Sequence, residues 1–366
     1  MRVVELCAGA GGLTLGLHRA GFTTVRAVES DPVAASTWRR DARTVDLSGL
    51  GPVALLAGGI PCQPFSTAGK RASHADRRNL WPTFVRAIDT IRPTWALVEN
   101  VRGLAQHSRK HHAGEGVPCS GCYLDGVILP QLRERFTWVD VWVLNASSFG
   151  VPQHRRRLFI VAGPRPVAPP AASHGDPAAL TQSRLFGPSL LPWVTVRDAL
   201  GLVGTLGGMR NTAANPTQER EAPTEEPAPM VGGRGSEILT PRPAWALPGG
   251  KHPDVQLDHP CPTIRIAGEK YFGPPMARQR PDRQAGSDVD RASDALWLAT
   301  GRRRLTIGEC ARLQDFPDDH PWQGNHSQIY RQIGNAVPPG MAEAVGRAIA
   351  TELGTCSSGK PRRNCR

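Results

Sequence analysis

Along the first 160 or so residues, short apolar runs alternate with stretches in which apolar positions recur at helical spacing. Residues 2–6 read as a first strand, followed by a glycine-rich turn at 9–12 and a helix over 13–20. Further strands are expected at 24–28, 54–57, 95–99, 139–144 and 158–162. Strands that alternate with helical stretches mark a doubly wound α/β fold with a largely parallel sheet. The texture changes at Gly163, where Pro164, Pro166, Pro169, Pro170 and Pro177 interrupt any regular element. From 201 to 302 the chain is rich in Pro, Gly and Arg and shows little periodicity, as expected of either a loop-rich recognition module or a partly disordered segment. Periodicity returns with a short helix at 307–313 and an amphipathic helix at about 340–353. The expected organisation is a first domain over 1–164 completed by 326–353, a second over 165–325, and an unstructured basic tail over 354–366.

Charge changes this picture more than composition does. Lys and Arg exceed Asp and Glu by 12, and a basic balance of that size points to an acidic partner, most often nucleic acid. A GC-rich genome that favours Arg codons would give the same excess. No apolar run reaches about 18 residues, so no membrane span is expected. Glu5 spoils a signal-peptide core. Eight scattered cysteines in so long a chain read as reduced thiols of a cytoplasmic protein.

Four segments carry candidate chemistry. Glu5-Leu6-Cys7-Ala8-Gly9-Ala10-Gly11-Gly12 joins a strand to a helix, where glycines let a ligand approach the backbone and the helix N-terminus favours an anion. Glu29 follows Gly9 by 20 residues at the end of the next strand, a position from which an acid can bind a ribose. In Gly59-Ile60-Pro61-Cys62-Gln63-Pro64, prolines stiffen a loop that presents Cys62; a lone cysteine is otherwise most often an inert small hydrophobe. Val98-Glu99-Asn100-Val101 ends an apolar strand in the same crevice, though an acid there can also merely cap a helix. In Gln153-His154-Arg155-Arg156-Arg157, read as one strand, Gln153, Arg155 and Arg157 share a face suited to an anion or a carbonyl.

These segments, in this order, resemble those of the DNA (cytosine-5)-methyltransferase family. The Pro-Cys-Gln loop, the Glu-Asn-Val strand end and the Gln-x-Arg-x-Arg strand match its motifs IV, VI and VIII. Asp76-Arg77-Arg78-Asn79-Leu80 is similar to motif V, Arg304 to Pro317 to motif IX, and Gln332 to Pro339 to motif X. The resemblance implies the S-adenosylmethionine-dependent methyltransferase fold, a mixed doubly wound sheet with a smaller target-recognition domain. It also implies roles. Cys62 attacks carbon 6 of a flipped cytosine, Glu99 holds a proton at N3, and Arg155 and Arg157 bind the base carbonyl and a phosphate. Gly9, Gly11 and Gly12 surround the methionine end of S-adenosylmethionine, with Glu29 on the ribose and Asp46 on the adenine amine. Asn335 and Val337 close the pocket as the last helix returns to the first domain. The implied partner is double-stranded DNA, bound by a monomer associated with the nucleoid; the arrangement suits either a restriction–modification system, with a cognate endonuclease acting on the same site, or an orphan methyltransferase.

The chain departs from the family pattern at Cys7, where an aromatic residue is usual, and at Gly308, where an arginine is common. Residues 106–122 look like an insertion, carrying His107, His111, His112, Cys119 and Cys122. One CxxC with crowded histidines fits a loop better than a zinc site, so no metal is expected. His259 to Arg265 resembles the short Thr-hydrophobic element of target-recognition domains, with Arg265 and Lys270 as candidates to read guanine. Three rival readings stand beside the leading one. A tRNA cytosine methyltransferase shares the motifs but has a shorter recognition region. A DNA-binding relative without catalysis would have lost one of the catalytic residues. A nicotinamide dehydrogenase explains the glycine turn and Glu29 but not Cys62 or the arginines.

Overall fold

The computed structural model describes residues 1–34, 41–61, 79–107, 120–177, 190–201, 232–233, 236–239, 254–256, 260–262 and 306–354. The chain divides into two compact units. The first comprises Met1–Asn145, Arg156–Ala171 and Val337–Arg366, and the second Ala146–Arg155 and Ala172–Ala336. These limits differ from the expected 1–164 with 326–353, since the short stretch 146–155 and the residues before Val337 fall in the second unit.

The first unit is built on strands β1 (Arg2–Leu6), β2 (Thr23–Val28), β3 (Leu55–Gly59), β4 (Trp95–Val101) and β5 (Trp138–Asn145). A seventh strand in chain order, β7 (Arg156–Gly163), follows the two-residue β6 (Gln153–His154) of the second unit. The sheet order is β2-β1-β3-β4-β7-β5. β2, β1, β3 and β4 run parallel, and β7 is antiparallel to both β4 and β5. The sheet is therefore mixed, as expected. Val3, Val4, Glu5 and Leu6 are all buried, as befits a parallel strand covered on both faces.

On one face Val4, Leu6, Leu56, Val98, Leu158 and Ile160 pack with Trp81, Phe84 and Ile88 of the helix Trp81–Ile91. On the other lies α1 (Gly12–Arg19), joined by the last helix, Pro339–Gly354. That contact is close: a Cβ on Gly16 would stand 2.4 Å from both the Ala342 methyl and the Pro339 carbonyl oxygen. The strands fall within a residue or two of their expected limits. Besides the short helix Val196–Leu200, three longer helical stretches were not expected. Trp81–Ile91 has its apolar residues at helical spacing. In Ser120–Arg133, Gly126 and Pro130 mask the pattern, and a π turn at Leu124–Ile128 accommodates them. His326–Asn335 buries only Ile329, Gln332, Ile333 and Gly334.

In the second unit β6 pairs in parallel with Cys261–Pro262. A three-stranded sheet joins Gly232–Gly233, Ser236–Leu239 and Asp254–Gln256. Three of its helices start on reciprocal caps, Thr195 with Asp198, Thr306 with Glu309, and Asn325 with Gln328. Among the described residues no helix is long and apolar enough to cross a membrane.

Candidate active site

The glycine turn leaves β1 and enters α1. Gly9 and Gly11 adopt φ values of +55° and +85°, in the left-handed region that glycine takes without strain. Cys7, at +58°, is the non-glycine residue that shares this geometry at the turn, and burial pushes its thiol up to about 12. Glu29, at the end of β2, is drawn to the turn: its Oε2 accepts the Gly9 N–H at 2.8 Å and its Oε1 the Asp31 N–H at 2.8 Å. Among the described residues no atom lies within 4 Å of a Cβ built on Gly9, which leaves the turn's backbone open to a ligand. α1 carries no acid in its first turn, leaving its N-terminal amides for an anion. Open glycine backbone, an acid at the neighbouring strand end and free helix amides fit S-adenosylmethionine. Gly12 is the first residue of α1.

Asp46 is exposed, and its Oδ1 accepts the Ser48 N–H at 2.8 Å. That bond holds its carboxyl below the usual range. Val337, in the first unit, is buried; Asn335, the last residue of its helix in the second unit, is exposed.

At the carboxyl end of the parallel strands the geometry tightens. Gly59 of β3 is the register partner of Glu99 on β4, and the Glu99 side chain is 10% exposed. β7 brings Arg157 beside it, with Nε 3.1 Å from Glu99 Oε1 and 13% of the side chain exposed. Burial lowers the Arg157 pKa and the Glu99 charge opposes that shift. Asn100, next along β4, turns its Nδ2 to the Ile60 carbonyl at 3.1 Å. This ties β4 to the root of the Cys62 loop. Cys62 itself lies outside the described residues, as do Asp76, Arg304, Arg265, Lys270, His111, His112 and Cys119.

The expectation that Gln153, Arg155 and Arg157 share one strand face is corrected. The strand breaks at Arg155: β6 pairs with Cys261–Pro262 in the second unit, and β7 begins at Arg156 in the central sheet. Arg157, on β7, pairs with Glu99. Arg155 is fully buried in the second unit, where its Nη2 donates to the carbonyls of Gly334 and Ala336 at 2.7 and 3.0 Å. Gln153 donates to the Leu313 carbonyl and to Gln314 Oε1, and Gln314 donates to the Ala336 carbonyl at 2.7 Å. These groups form a buried polar cluster around the turn that follows Gly334. Glu5, Thr14, Asn100 and Gln314 are site-building residues to which sequence reasoning assigned no part. The available signal was that Glu5, Asn100 and Gln314 are polar residues within recognised motifs and Thr14 follows the glycine turn directly.

Within the 106–122 segment, His107 Nε2 stands 3.1 Å from Asp125 Oδ2, and its Nδ1 is 3.6 Å from Cys122 Sγ. Opposite ring nitrogens are engaged, an arrangement that does not converge on one ion. No metal-binding group of three or more such side chains occurs among the described residues.

A family model described as C-5 cytosine-specific DNA methylase matches residues 1–167 and 264–351, well over half of the chain. Type II methyltransferase M.NaeI of Lentzea aerocolonigenes is 32% identical, with 99% of this chain and 78% of that protein aligned. M.PspPI of a Psychrobacter species is also 32% identical, over 96% of this chain and 79% of its own length. Among solved structures, the Dnmt2 methyltransferase of S. pombe superposes with a TM-score of 0.52 at 18% identity, covering 98% of this chain and 99% of that one; at that identity the likeness speaks for the fold. The glycine turn, the Glu99 strand end and the recognised motifs thus lie in a chain that belongs to the DNA (cytosine-5)-methyltransferases, enzymes that take their methyl group from S-adenosylmethionine.

Proposed function

We propose that this enzyme methylates carbon 5 of a cytosine swung out of duplex DNA at a specific sequence, as the modification partner of a type II restriction endonuclease. The observation that carries the reading is the Glu99–Arg157 pair at 3.1 Å, beside Gly59. Cys62 follows Gly59 by three residues, a span of at most about 10 Å of extended chain. A nucleophile on that loop and a proton-handling carboxyl on β4 are therefore available to one pyrimidine ring.

The chemistry follows from these groups. The Cys62 thiolate adds to carbon 6, forming a C–S bond and moving the ring electrons toward carbon 5. Glu99 holds a proton at N3, so the charge created by addition is not left on the ring. Arg157 orients Glu99 and offers N–H donors to the base carbonyl. S-adenosylmethionine, when bound at the glycine turn, supplies an electrophilic methyl group. Loss of the carbon 5 proton to a base then expels Cys62 and restores the ring. Splitting the substitution into addition, transfer and elimination replaces one high barrier with lower ones. Extrusion of the base costs a few kcal/mol, which contacts from the recognition region offset.

In this reading Gly9, Gly11, Gly12 and Glu29 hold the methionine end and the ribose. Asp46 meets the adenine amine, and Asn335 and Val337 close the pocket. Arg155 supports the turn around Gly334 through its two carbonyl bonds instead of touching the base. Residues 1–164 with 326–353 form the catalytic domain and 165–325 read the target, with the protein working as a cytoplasmic, nucleoid-associated monomer. The similarity to the type II methyltransferases M.NaeI and M.PspPI supports the restriction–modification setting. The test is methyl transfer from labelled cofactor to a mixed-sequence duplex and to tRNA, with bisulfite sequencing of the product. Methylated cytosines confined to one duplex sequence support the reading; labelling of tRNA alone overturns it.

A further inference from the structure

His107, Cys122 and Asp125 meet within the first unit, and the methyl-transfer chemistry uses none of them. The Gly121 N–H donates to the Gln106 carbonyl at 3.1 Å, which makes neighbours of the residues that follow each, Cys122 and His107. The imidazole seats against Gly121: a Cβ there would stand 2.8 to 2.9 Å from three ring atoms. Glycine at that position is what admits the ring. Asp125 lies three residues past Cys122 in the helical stretch Ser120–Arg133, a spacing that brings the two side chains to one face. Tyr123, Leu124 and Ile128 are buried on the other.

The contacts run in series through the ring. Cys122 Sγ is 3.6 Å from His107 Nδ1, and Asp125 Oδ2 is 3.1 Å from Nε2. One tautomer serves both. With its proton on Nε2, the ring donates to the carboxylate and leaves Nδ1 bare to accept the thiol proton. The carboxylate then faces the imidazolium that results. A nucleophile beside a base that a third group orients is the arrangement that activates it, and the thiolate is the reactive form of cysteine. Cys122 is half-buried, while the His107 and Asp125 side chains are 42% and 57% exposed. A small molecule can therefore reach the sulfur.

We propose that Cys122 is a modification site: a nucleophilic thiol, activated by His107 and Asp125, that forms mixed disulfides with small disulfide molecules. Nδ1 takes the thiol proton. The thiolate attacks one sulfur of the small disulfide, whose S–S bond breaks as a new one forms to Cys122 Sγ. The other half leaves as a thiolate and takes the proton back from the imidazolium. The small disulfide is the oxidant, and it is reduced by one thiol equivalent.

The experiment mixes the whole protein at pH 7 with 5,5′-dithiobis(2-nitrobenzoate), with and without a chelator. Mixed disulfides are followed in time and mapped by peptide fragmentation, so that Cys62, Cys119 and Cys122 are counted apart. Cys122 is expected to react about fivefold or more faster than free glutathione. His107→Gln is expected to bring that rate down to the level of glutathione. Asp125→Asn, which keeps the shape of an exposed side chain, is expected to fall between the two. Wild-type Cys122 no faster than glutathione overturns the proposal, and so does an unchanged rate in either variant. Reaction at Cys119 in place of Cys122 also overturns it. So does reaction that begins only once the chelator is added, which marks a metal-bound thiol.

Discussion

Glu99 and Arg157 meet across the antiparallel β4–β7 pair, Oε1 to Nε at 3.1 Å, with both side chains largely withdrawn from water. Desolvating two charges offsets much of what their attraction returns, so such a pair adds little net stability, yet removing one partner strands the other. It fixes a carboxyl at the carboxyl end of β4, beside the strand that leads to Cys62.

Glu99→Gln keeps the shape and removes the charge. Single-turnover methylation is expected to slow by about a hundredfold or more, at least about 2.7 kcal/mol, with cofactor affinity retained. The melting temperature is expected to fall as well, since Arg157 loses its counter-charge. A loss below about tenfold would exclude Glu99 from proton handling.

Arg155 and Arg157 are two residues apart but belong to different settings. Arg155→Met removes two bonds to the Gly334 and Ala336 carbonyls and is expected to cost about 2–3 kcal/mol of stability, read by urea denaturation. Arg157→Met strands the Glu99 carboxyl, so it is expected to slow the chemical step as well as to lower stability. Equal profiles for the two variants would contradict this division.

Gly16→Ala places a methyl against Ala342 and the Pro339 carbonyl at 2.4 Å. Overpacking of this kind costs about 1–3 kcal/mol or more, and it is expected to loosen the last helix from α1. Faster proteolysis of the C-terminal helix, with little change elsewhere, is the signature to seek. Wild-type stability would show that the two helices are less closely apposed.

Glu5 also makes a stability statement. Its carboxyl is raised from an ordinary 4.5 to about 8 in the fold, so the folded state binds the proton more tightly than the unfolded chain does. The contribution is full below about pH 4.5 and is lost as pH rises to about 8. Melting curves should therefore show Glu5→Gln gaining on wild type across that window, and a constant difference would contradict the shift.

The sheet was legible because its strands are short, mostly apolar runs, as at Leu97 and Val98, separated by turn and helical stretches. The glycine turn was legible through the Gly9 to Glu29 spacing, which the 2.8 Å bond between them reflects. Other features left weaker traces. The helix His326–Asn335 is anchored by few apolar residues, and only the Asn325–Gln328 cap announces it. Arg155 reads like Arg157 in the sequence, and what separates them is a change of strand partner between His154 and Arg156. The strand partners decide that change: the distant Cys261 for Gln153, and Asn145 and Leu144 of the preceding β5 for Arg156 and Arg157. The burial of Glu5 was likewise invisible, because an acid at a strand end usually faces water.

The most direct measurement of the central claim is a covalent trap. Duplex DNA carrying 5-fluorocytosine, which has no carbon 5 proton to lose after methyl transfer, is incubated with the protein and S-adenosylmethionine and run on a denaturing gel. The account expects a cofactor-dependent protein–DNA band that disappears in Cys62→Ser, with the adduct mapped to the Cys62 peptide. A band that persists in Cys62→Ser, or methylation of ordinary duplex DNA by that variant at the wild-type rate, would contradict it.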